Sequence, residues 1–598
     1  MMTTRATRGP RRRTVVALAV VLIVLTAFVV RLVDIQVVSA DDHVSDSLEV
    51  GNLGSTTAIA GNRGSIVDAD GTVLAASTLV YDAQLSPSLI AVVDDNEKNP
   101  PEYLWAEASD KIAAIIGTTG EELRADVAAN LEENPESQYL FLKSGLNTEK
   151  YLQLKELKDD GLAYLAMKSR SVRVYPNGAV AGTMVGFLNG DGEGQYGVER
   201  MAGECLAPTD GSQTYRTGKD GVVIPGSETT TDAVDGGTVQ LTLNSDLNWY
   251  LQQMVAEEAQ RQGAESATAT VVEVKTGKIR AAAEWPSVDP NNVDGTPQDY
   301  WKSQIFSKTF EPGSTFKAVT AATIIDQGVA DWSTGVTAES REYFPNGAEI
   351  NDPFSHPKYS YTLAGALIDS SNVALSKYGE MVAPEVRHDY LAKFGVGQKT
   401  PIAFPGEEPG ELHPASEWDN QSLYTTTFGQ HFTITAAQLA STYQTFANDG
   451  ERIDLSLIES CTQADGTVVE ADAPEHEQVV SENTAAQVQR MLENVAVQGG
   501  LSERIEVPGY RIATKTGTAQ TQDGHGGYKS GLYDVSIVGY APAEDPEYVV
   551  VVTMDEPTKL RTSAATATAF QKAMTQVLKT YRVKPSTEPM DELLPKFK

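Results

Sequence analysis

Glu311-Pro312-Gly313-Ser314-Thr315-Phe316-Lys317 opens an apolar segment that ends near Gly328. Proline at the start and glycine after the end punctuate a buried helix in this way. The pattern places Ser314 in the first turn. Residues three apart on a helix share a face, with Cβ atoms about 5–6 Å apart, so the Lys317 amine is expected to reach the Ser314 hydroxyl. A lysine accepts a serine proton only when neutral. Its reference pKa of about 10.4 must therefore be lowered by burial or by a second cation nearby.

A lone S-x-x-K pair is weak evidence, and a second copy exists in Ser355-His356-Pro357-Lys358, where the central proline disfavours a helix. Two further elements narrow the choice. Ser370-Ser371-Asn372 has a rival in Ser481-Glu482-Asn483, but Ser481 precedes a helical run and reads as its N-cap. Lys515-Thr516-Gly517 has a rival in Lys275-Thr276-Gly277, where Thr276-Gly277 separates two alternating runs and reads as a hairpin turn. Order and spacing then leave one set: Ser314 and Lys317; Ser370 and Asn372; and Lys515, Thr516, Gly517 and Thr518. Penicillin-binding proteins and β-lactamases share this trio of motifs.

Around that set lies a chain of 598 residues, 41% hydrophobic, long enough for two or more buried cores. Its formal net charge of -34 works against a nucleic-acid partner, which is bound by clustered arginine and lysine. The acidity reads as a solvated surface. Cys205 and Cys461 stand far apart with no C-x-x-C, so neither a disulfide framework nor a thiolate metal site is indicated. The seven histidines include no H-E-x-x-H; no metal and no other cofactor is expected.

Arg5, Arg8, Arg11, Arg12 and Arg13 precede an uncharged run from Thr14 to Val30, of about 17 residues, near the lower limit of a membrane span. The basic flank should stay in the cytoplasm. A cleaved signal peptide is the competing reading, with Val38-Ser39-Ala40 as a cut site; Arg31 and Asp34, lying before that site, favour an uncleaved anchor. The expected organisation is a cytoplasmic tail (1–13), a transmembrane anchor (14–33), an α+β module (41–228) with one helical stretch from Glu102 to Leu131, and a polar boundary from Glu228 to Gly237. A second domain (238–582) follows, with helical runs Asn244–Gln262, Ser314–Gln327 and Ser481–Gln498 and a strand from Tyr548 to Met554. The stretch 583–598, with Pro585, Pro589 and Pro595, is expected to be a flexible tail.

Beyond the anchor the chain resembles the class B penicillin-binding proteins. Arg31-Leu32-Val33-Asp34-Ile35-Gln36 and Arg63-Gly64-Ser65-Ile66-Val67-Asp68 with Gly71 are similar to the juxtamembrane and first pedestal motifs. Arg173-Val174-Tyr175-Pro176 and Gly194-Gln195-Tyr196-Gly197-Val198-Glu199 resemble later pedestal motifs, and Phe428-Gly429-Gln430 and Val538-Gly539-Tyr540-Ala541-Pro542 resemble elements of the catalytic domain. The resemblance implies an α+β fold: a dimerisation-type pedestal, then a β-lactamase-like transpeptidase domain whose antiparallel sheet carries helices on its faces. It has no room for a glycosyltransferase domain ahead of the pedestal, which implies the monofunctional class.

It also implies roles. Ser314 attacks the D-alanyl-D-alanine end of a stem peptide with Lys317 as base, Ser370 relays a proton, Asn372 holds a substrate amide and Lys515 supplies positive potential. Thr516 and Thr518 bind the terminal carboxylate, and the amides of Ser314 and Thr518 form the oxyanion hole. Gly517, a glycine within a strand, marks close approach of another backbone, here a substrate peptide added along the edge. Implied partners are peptidoglycan stem peptides, β-lactam antibiotics, the membrane, other cell-division membrane proteins and a glycosyltransferase, with the catalytic domain outside the cytoplasm. The septal branch fits the motifs better than the elongation branch.

Three other readings compete. A β-lactamase would need a deacylating glutamate, and Glu407, Glu408 and Glu411 lie in a turn-rich stretch that resembles the transpeptidases instead. A D,D-carboxypeptidase differs only in its acceptor, and the motifs do not separate the two. A non-catalytic division scaffold is disfavoured because every reactive side chain is present.

Overall fold

A computed structural model describes residues 10–33, 55–216, 226–524, 527–590 and 592–598, which fall into two units. The smaller comprises residues up to 61 together with 208–235. In it Pro10–Val33 is a helix whose described apolar side chains, from Val15 to Val30, are exposed. Ser55–Ile59, Gly211–Tyr215 and Thr229–Thr231 form an antiparallel sheet. Among the described residues no helix is long and apolar enough to cross a membrane. Arg5, Arg8, Asp34 to Gln36 and Val38-Ser39-Ala40 lie outside the described residues, as do the side chains of Arg11, Arg12 and Arg13.

The larger unit holds 62–207 and 236–598. Its pedestal part carries strands β1 (Ile66–Val67), β2 (Val73–Leu85), β3 (Leu140–Leu146) and β4 (Leu165–Val174), with β5 (Thr238–Leu241) following. The expected helix from Glu102 to Leu131 is two helices, Trp105–Ile116 and Gly120–Glu133. Gly117 ends the first in the left-handed region at φ 85°, and Thr119 starts the second with a capping box to Glu122. Adjacent stop and start signals break the helix there.

The pedestal motifs meet around one buried carboxylate. Glu199, fully buried, receives Arg63 Nε and Arg173 Nε at 2.7 Å each, and the Tyr175 hydroxyl donates to it at 3.3 Å. Two guanidinium partners offset the desolvation of a buried carboxylate. Asp68 accepts from Ser245 N (3.0 Å) and Ser245 Oγ (2.6 Å). Burial of Asp68 opposes its charge, but these bonds and those from Thr72 and Asp70 outweigh burial and hold its pKa below the usual value.

The catalytic part runs α1 (Ser245–Gln262), β6 (Ser266–Glu273), β7 (Ile279–Trp285), α2 (Lys317–Asp326), β8 (Tyr359–Thr362), α3 (Leu363–Ile368), α4 (Asn372–Gly379) and α5 (Ala436–Ala447). It continues through β9 (Ile458–Thr462), β10 (Val468–Glu470), α6 (Glu482–Gln498), β11 (Ala513–Gln522), β12 (Tyr528–Ala541), β13 (Tyr548–Asp555) and α7 (Ala567–Thr580). Its five-stranded antiparallel sheet has the order β7-β6-β13-β12-β11. Side chains alternate between the faces of a strand. Val550 and Val552 of β13 therefore join one core with α1 and α7, while Val549 and Val551 join another with α2, α3, α5 and α6. Local readings hold here: Ser481 caps α6 by accepting from Thr484 N, and Thr276-Gly277 turns the β6–β7 hairpin with Gly277 at φ 68°.

A second sheet, β10-β9-β5-β1-β2-β3 with β4 on β2, crosses the expected boundary. Cys205 and Cys461 are bonded across it, contrary to the expectation from spacing. Residue 461 sits opposite Val239 in the β5–β9 pair, and the Cys205 carbonyl accepts from Gly237 N at 2.7 Å. Strand pairing, invisible in the spacing, brings the thiols together. The bond closes a loop across a separation of 256 residues, and loop closure of this kind contributes about 2–4 kcal/mol. Replacing both cysteines by serine should lower the denaturation free energy of the oxidised protein by about that amount; an unchanged midpoint and slope in urea would refute it.

The stretch 583–598 is also not the flexible tail expected from its prolines. Leu594 is buried, Thr362 N donates to Lys596 O at 3.0 Å, Thr362 Oγ1 donates to Pro595 O at 2.7 Å, and Lys598 N donates to Ser360 O at 2.9 Å. Proline fixes φ near the value for extended chain, so a proline-rich stretch is suited to lie against β8.

Candidate active site

Gly313–Phe316 forms one 3-10 turn that leads into α2, so Ser314 stands in the first turn as the sequence predicts. The turn is braced from three sides. Gly313 N donates to Gly429 O at 2.8 Å, and the Tyr443 hydroxyl of α5 donates to Thr315 O at 2.8 Å. Glu311 accepts from His431 N at 2.9 Å, Gln430 Nε2 at 3.1 Å and the Tyr528 hydroxyl at 2.9 Å. Gly429 takes φ 85°, and a Cβ there would lie 2.0 Å from Gly313 O, so the Phe428-Gly429-Gln430 motif is a backbone buttress for the Ser314 turn.

Lys317 is fully buried, and its Nζ donates to Ser370 O at 2.5 Å and to Ser370 Oγ at 3.1 Å. Among the described residues no hydrogen bond joins the Lys317 amine to the Ser314 hydroxyl; the amine is turned toward the carbonyl and hydroxyl of Ser370. Lys515, 1% exposed, donates to the same Ser370 Oγ at 3.1 Å and to Thr516 O at 3.3 Å. One serine hydroxyl thus lies between two buried amines. Burial pushes the pKa of Lys317 well below its usual value, and the positive charge of Lys515 adds to that, while Asp352 pulls the other way. Burial alone brings Lys515 down to about 7. The arrangement favours the neutral form of Lys317.

Ser370 adopts φ 57°, unusual for a residue with a side chain. Asp352 organises the turn that follows. Its Oδ1 accepts from Val373 N at 2.9 Å, and its Oδ2 accepts from Ser371 Oγ at 2.7 Å and pairs with His356 Nε2 at 2.7 Å. No motif pointed to Asp352. The rival copy Ser355 to Lys358 supplies that histidine from a loop between strands, so its role is structural. Asn372 donates through Nδ2 to Asn351 O at 2.9 Å.

Lys515 to Thr518 lie on β11, at one edge of the five-stranded sheet. At Gly517 the close neighbours belong to the protein itself. A Cβ there would meet Ser536 Oγ at 2.5 Å and Pro312 O at 2.6 Å, so the backbone that approaches this glycine closely is that of the Ser314 turn. Thr518 lies beside the same turn, its carbonyl oxygen 3.0 Å from where a Gly313 Cβ would stand, and its Oγ1 accepts from Ser563 N at 3.1 Å. A cleft of about 450 Å³ is lined by Ser370, Lys515, Thr516, Thr562, Ser563 and Lys596, among others; Ser314 is not among its lining residues.

A family model described as the penicillin binding protein transpeptidase domain matches residues 267–575, more than half of the chain, and one for the penicillin-binding protein dimerisation domain matches 58–241. The chain belongs to the class B penicillin-binding proteins. Penicillin-binding protein PbpB of Mycolicibacterium smegmatis is 33% identical over 547 residues, covering 88% of this chain and 84% of that protein. Peptidoglycan D,D-transpeptidase FtsI of Escherichia coli is 29% identical over 581 residues, 94% of this chain and 91% of its own. Penicillin binding protein 3 of Mycobacterium tuberculosis, solved in complex with ampicillin, superposes with a TM-score of 0.69 at 26% identity, covering 91% of this chain and all of that one. In this penicillin-binding protein, the S-x-x-K, S-x-N and K-T-G motifs meet at the Ser370 hydroxyl, through Lys317 on one side and Lys515 on the other.

Proposed function

We propose that this penicillin-binding protein is a serine D,D-transpeptidase that cross-links peptidoglycan stem peptides and is acylated by β-lactams. The observation that carries the reading is the placement of Ser370 Oγ between two buried amines, one of them on the first turn of the Ser314 helix. Ser314 Oγ attacks the carbonyl of the D-alanyl-D-alanine bond. Neutral Lys317 takes its proton, and the ester forms as the peptide bond breaks. Ser370, in contact with Lys317, passes that proton to the departing D-alanine nitrogen. The amine of a second stem peptide then displaces Ser314 and completes the cross-link. Positive potential from Lys515 and hydroxyls of Thr516 and Thr518 hold the terminal carboxylate, Asn372 holds a substrate amide, and the amides of Ser314 and Thr518 stabilise the oxyanion. Gly517 lets β11 approach the Ser314 turn and lies on the edge strand along which the substrate peptide adds.

The basic flank and exposed apolar helix Pro10–Val33 support a single-pass anchor, and the Cys205–Cys461 bond supports a catalytic domain in an oxidising space outside the cytoplasm. Motif resemblance supports the septal branch, with other division membrane proteins and a glycosyltransferase as partners. Intact mass of the full chain after incubation with penicillin tests the enzyme reading. A persistent adduct on wild type and none on Ser314→Ala is expected. No adduct on folded wild type would move the scaffold reading to first place, and rapid turnover of the adduct would favour a β-lactamase.

A further inference from the structure

The segment Leu594–Lys598 is packed along β8 and holds both ends of α3, the short helix that delivers Ser370. At the start of α3, Thr362 caps the helix by accepting from Gly365 N, while its own N–H and hydroxyl donate to Lys596 O and Pro595 O. Gly365 leaves no room for a side chain, since a Cβ there would lie 1.9 Å from Lys596 O. Leu594 is buried, its N–H donating to Asn494 Oδ1 at 2.9 Å and its carbonyl accepting from Gln498 Nε2 at 3.0 Å, both on α6. Phe597 packs on Tyr359 and Tyr361 with ring centroids 4.5 and 5.2 Å away. At the end of α3, Lys596 Nζ lies 2.6 Å from Asp369 Oδ1, and both side chains are partly buried. Asp369 immediately precedes Ser370, whose positive φ is a conformation that persists only where its surroundings over-determine it. Lys596 also lines the cleft with Ser370, Lys515 and Thr516.

We propose that Lys596 is a positioning residue of the active site: through its ion pair with Asp369 it holds the Asp369–Ser370 peptide so that the Ser370 hydroxyl sits between Lys317 and Lys515, and it neutralises a carboxylate that lines the same cleft as Lys515. This rests on the acyl-enzyme reading above. The sign of the electrostatic effect follows from the groups present. Lys317 faces Lys515, which favours its neutral form, and Asp352, which favours its charged form; Asp369 faces Lys596 and the Tyr361 hydroxyl. An unpaired Asp369 adds to the effect of Asp352 and makes neutral Lys317 harder to reach.

The test is the second-order acylation rate constant of the full chain with a fluorescent penicillin, measured across pH for wild type, Lys596→Met, Lys596→Arg and the double variant Lys596→Met/Asp369→Asn, with thermal midpoints alongside. Lys596→Met should lose about tenfold or more, with the acid limb moved to higher pH by roughly half a unit or more. Lys596→Arg should stay within about twofold of wild type, because it keeps the charge. The double variant should return the limb to its wild-type position. The inference is overturned if Lys596→Met keeps the wild-type rate and limb, or loses rate with an unmoved limb that Asp369→Asn does not alter; the latter would leave the segment with a packing role alone. Because wild type must first be acylated at Ser314, failure of the enzyme reading would show there and not in the Lys596 series.

Discussion

Replacing Lys317 by methionine should reduce the acylation rate constant by roughly 10²–10⁴-fold, the range that a positioned general base contributes, while the fold persists because methionine fills a similar volume. Base strength is set by surroundings that can be tested one at a time. The proposed mechanism needs neutral Lys317, so activity is expected above its folded pKa and should be lost as pH falls through that value. Burial and Lys515 place that pKa well below the usual lysine value. Lys515→Met removes the neighbouring cation, raises the Lys317 pKa and should move the acid limb of the acylation profile to higher pH. Stopped-flow acylation across pH measures both variants. A limb that stays in place in Lys515→Met, with Lys317→Met still acylated at the wild-type rate, would remove Lys317 from the role of base.

Gly429→Ala should be nearly as damaging, although residue 429 holds no reactive group. Alanine at φ 85° carries a backbone penalty of about 1–3 kcal/mol, and its Cβ would overlap Gly313 O, a backbone atom that has to shift. Moving the Gly313–Ser314 peptide by about 1 Å displaces the nucleophile enough to cost roughly 10²-fold in rate. Gly466→Ala is the matched control, since Gly466 has the same φ of 85° with nothing near its Cβ position. The control should lose stability by the backbone penalty alone and keep its acylation rate. Equal rates in the two variants would show that the buttress does not position Ser314.

What could be read in the sequence was local. Pro312 and Gly328 bracket the helix that begins at the Ser314 turn, Ser481 announces a cap, and Thr276-Gly277 announces a turn, because each acts within a few residues of itself. The three catalytic motifs were legible for the same reason. Asp352, Lys596 and the Cys205–Cys461 bond were not, because each acts on a partner brought close only by the tertiary fold. The amine of Lys317 was assigned to Ser314 by helical spacing; the structure turns it to Ser370, whose carbonyl and hydroxyl reach it from a turn more than fifty positions later. At Gly517 the close approach of another backbone was legible, but not that the Pro312 carbonyl is one of the groups that come near. The prolines near the end of the sequence suggested mobility, since composition does not show that β8 lies ready to receive them.

The sheet that crosses the pedestal boundary bears on how the chain comes to be folded. β5 lies between β1, which precedes it by about 170 residues, and β9, which follows it by about 220. Synthesis therefore delivers the first half of this sheet long before the second, and until β9 emerges β5 presents an unpaired edge of the kind that recruits foreign strands. The pedestal cannot mature as a free-standing module: an excised fragment ending just after β5 would expose that edge permanently. Completion of the pedestal is a late event, set by a hairpin encoded inside the catalytic half.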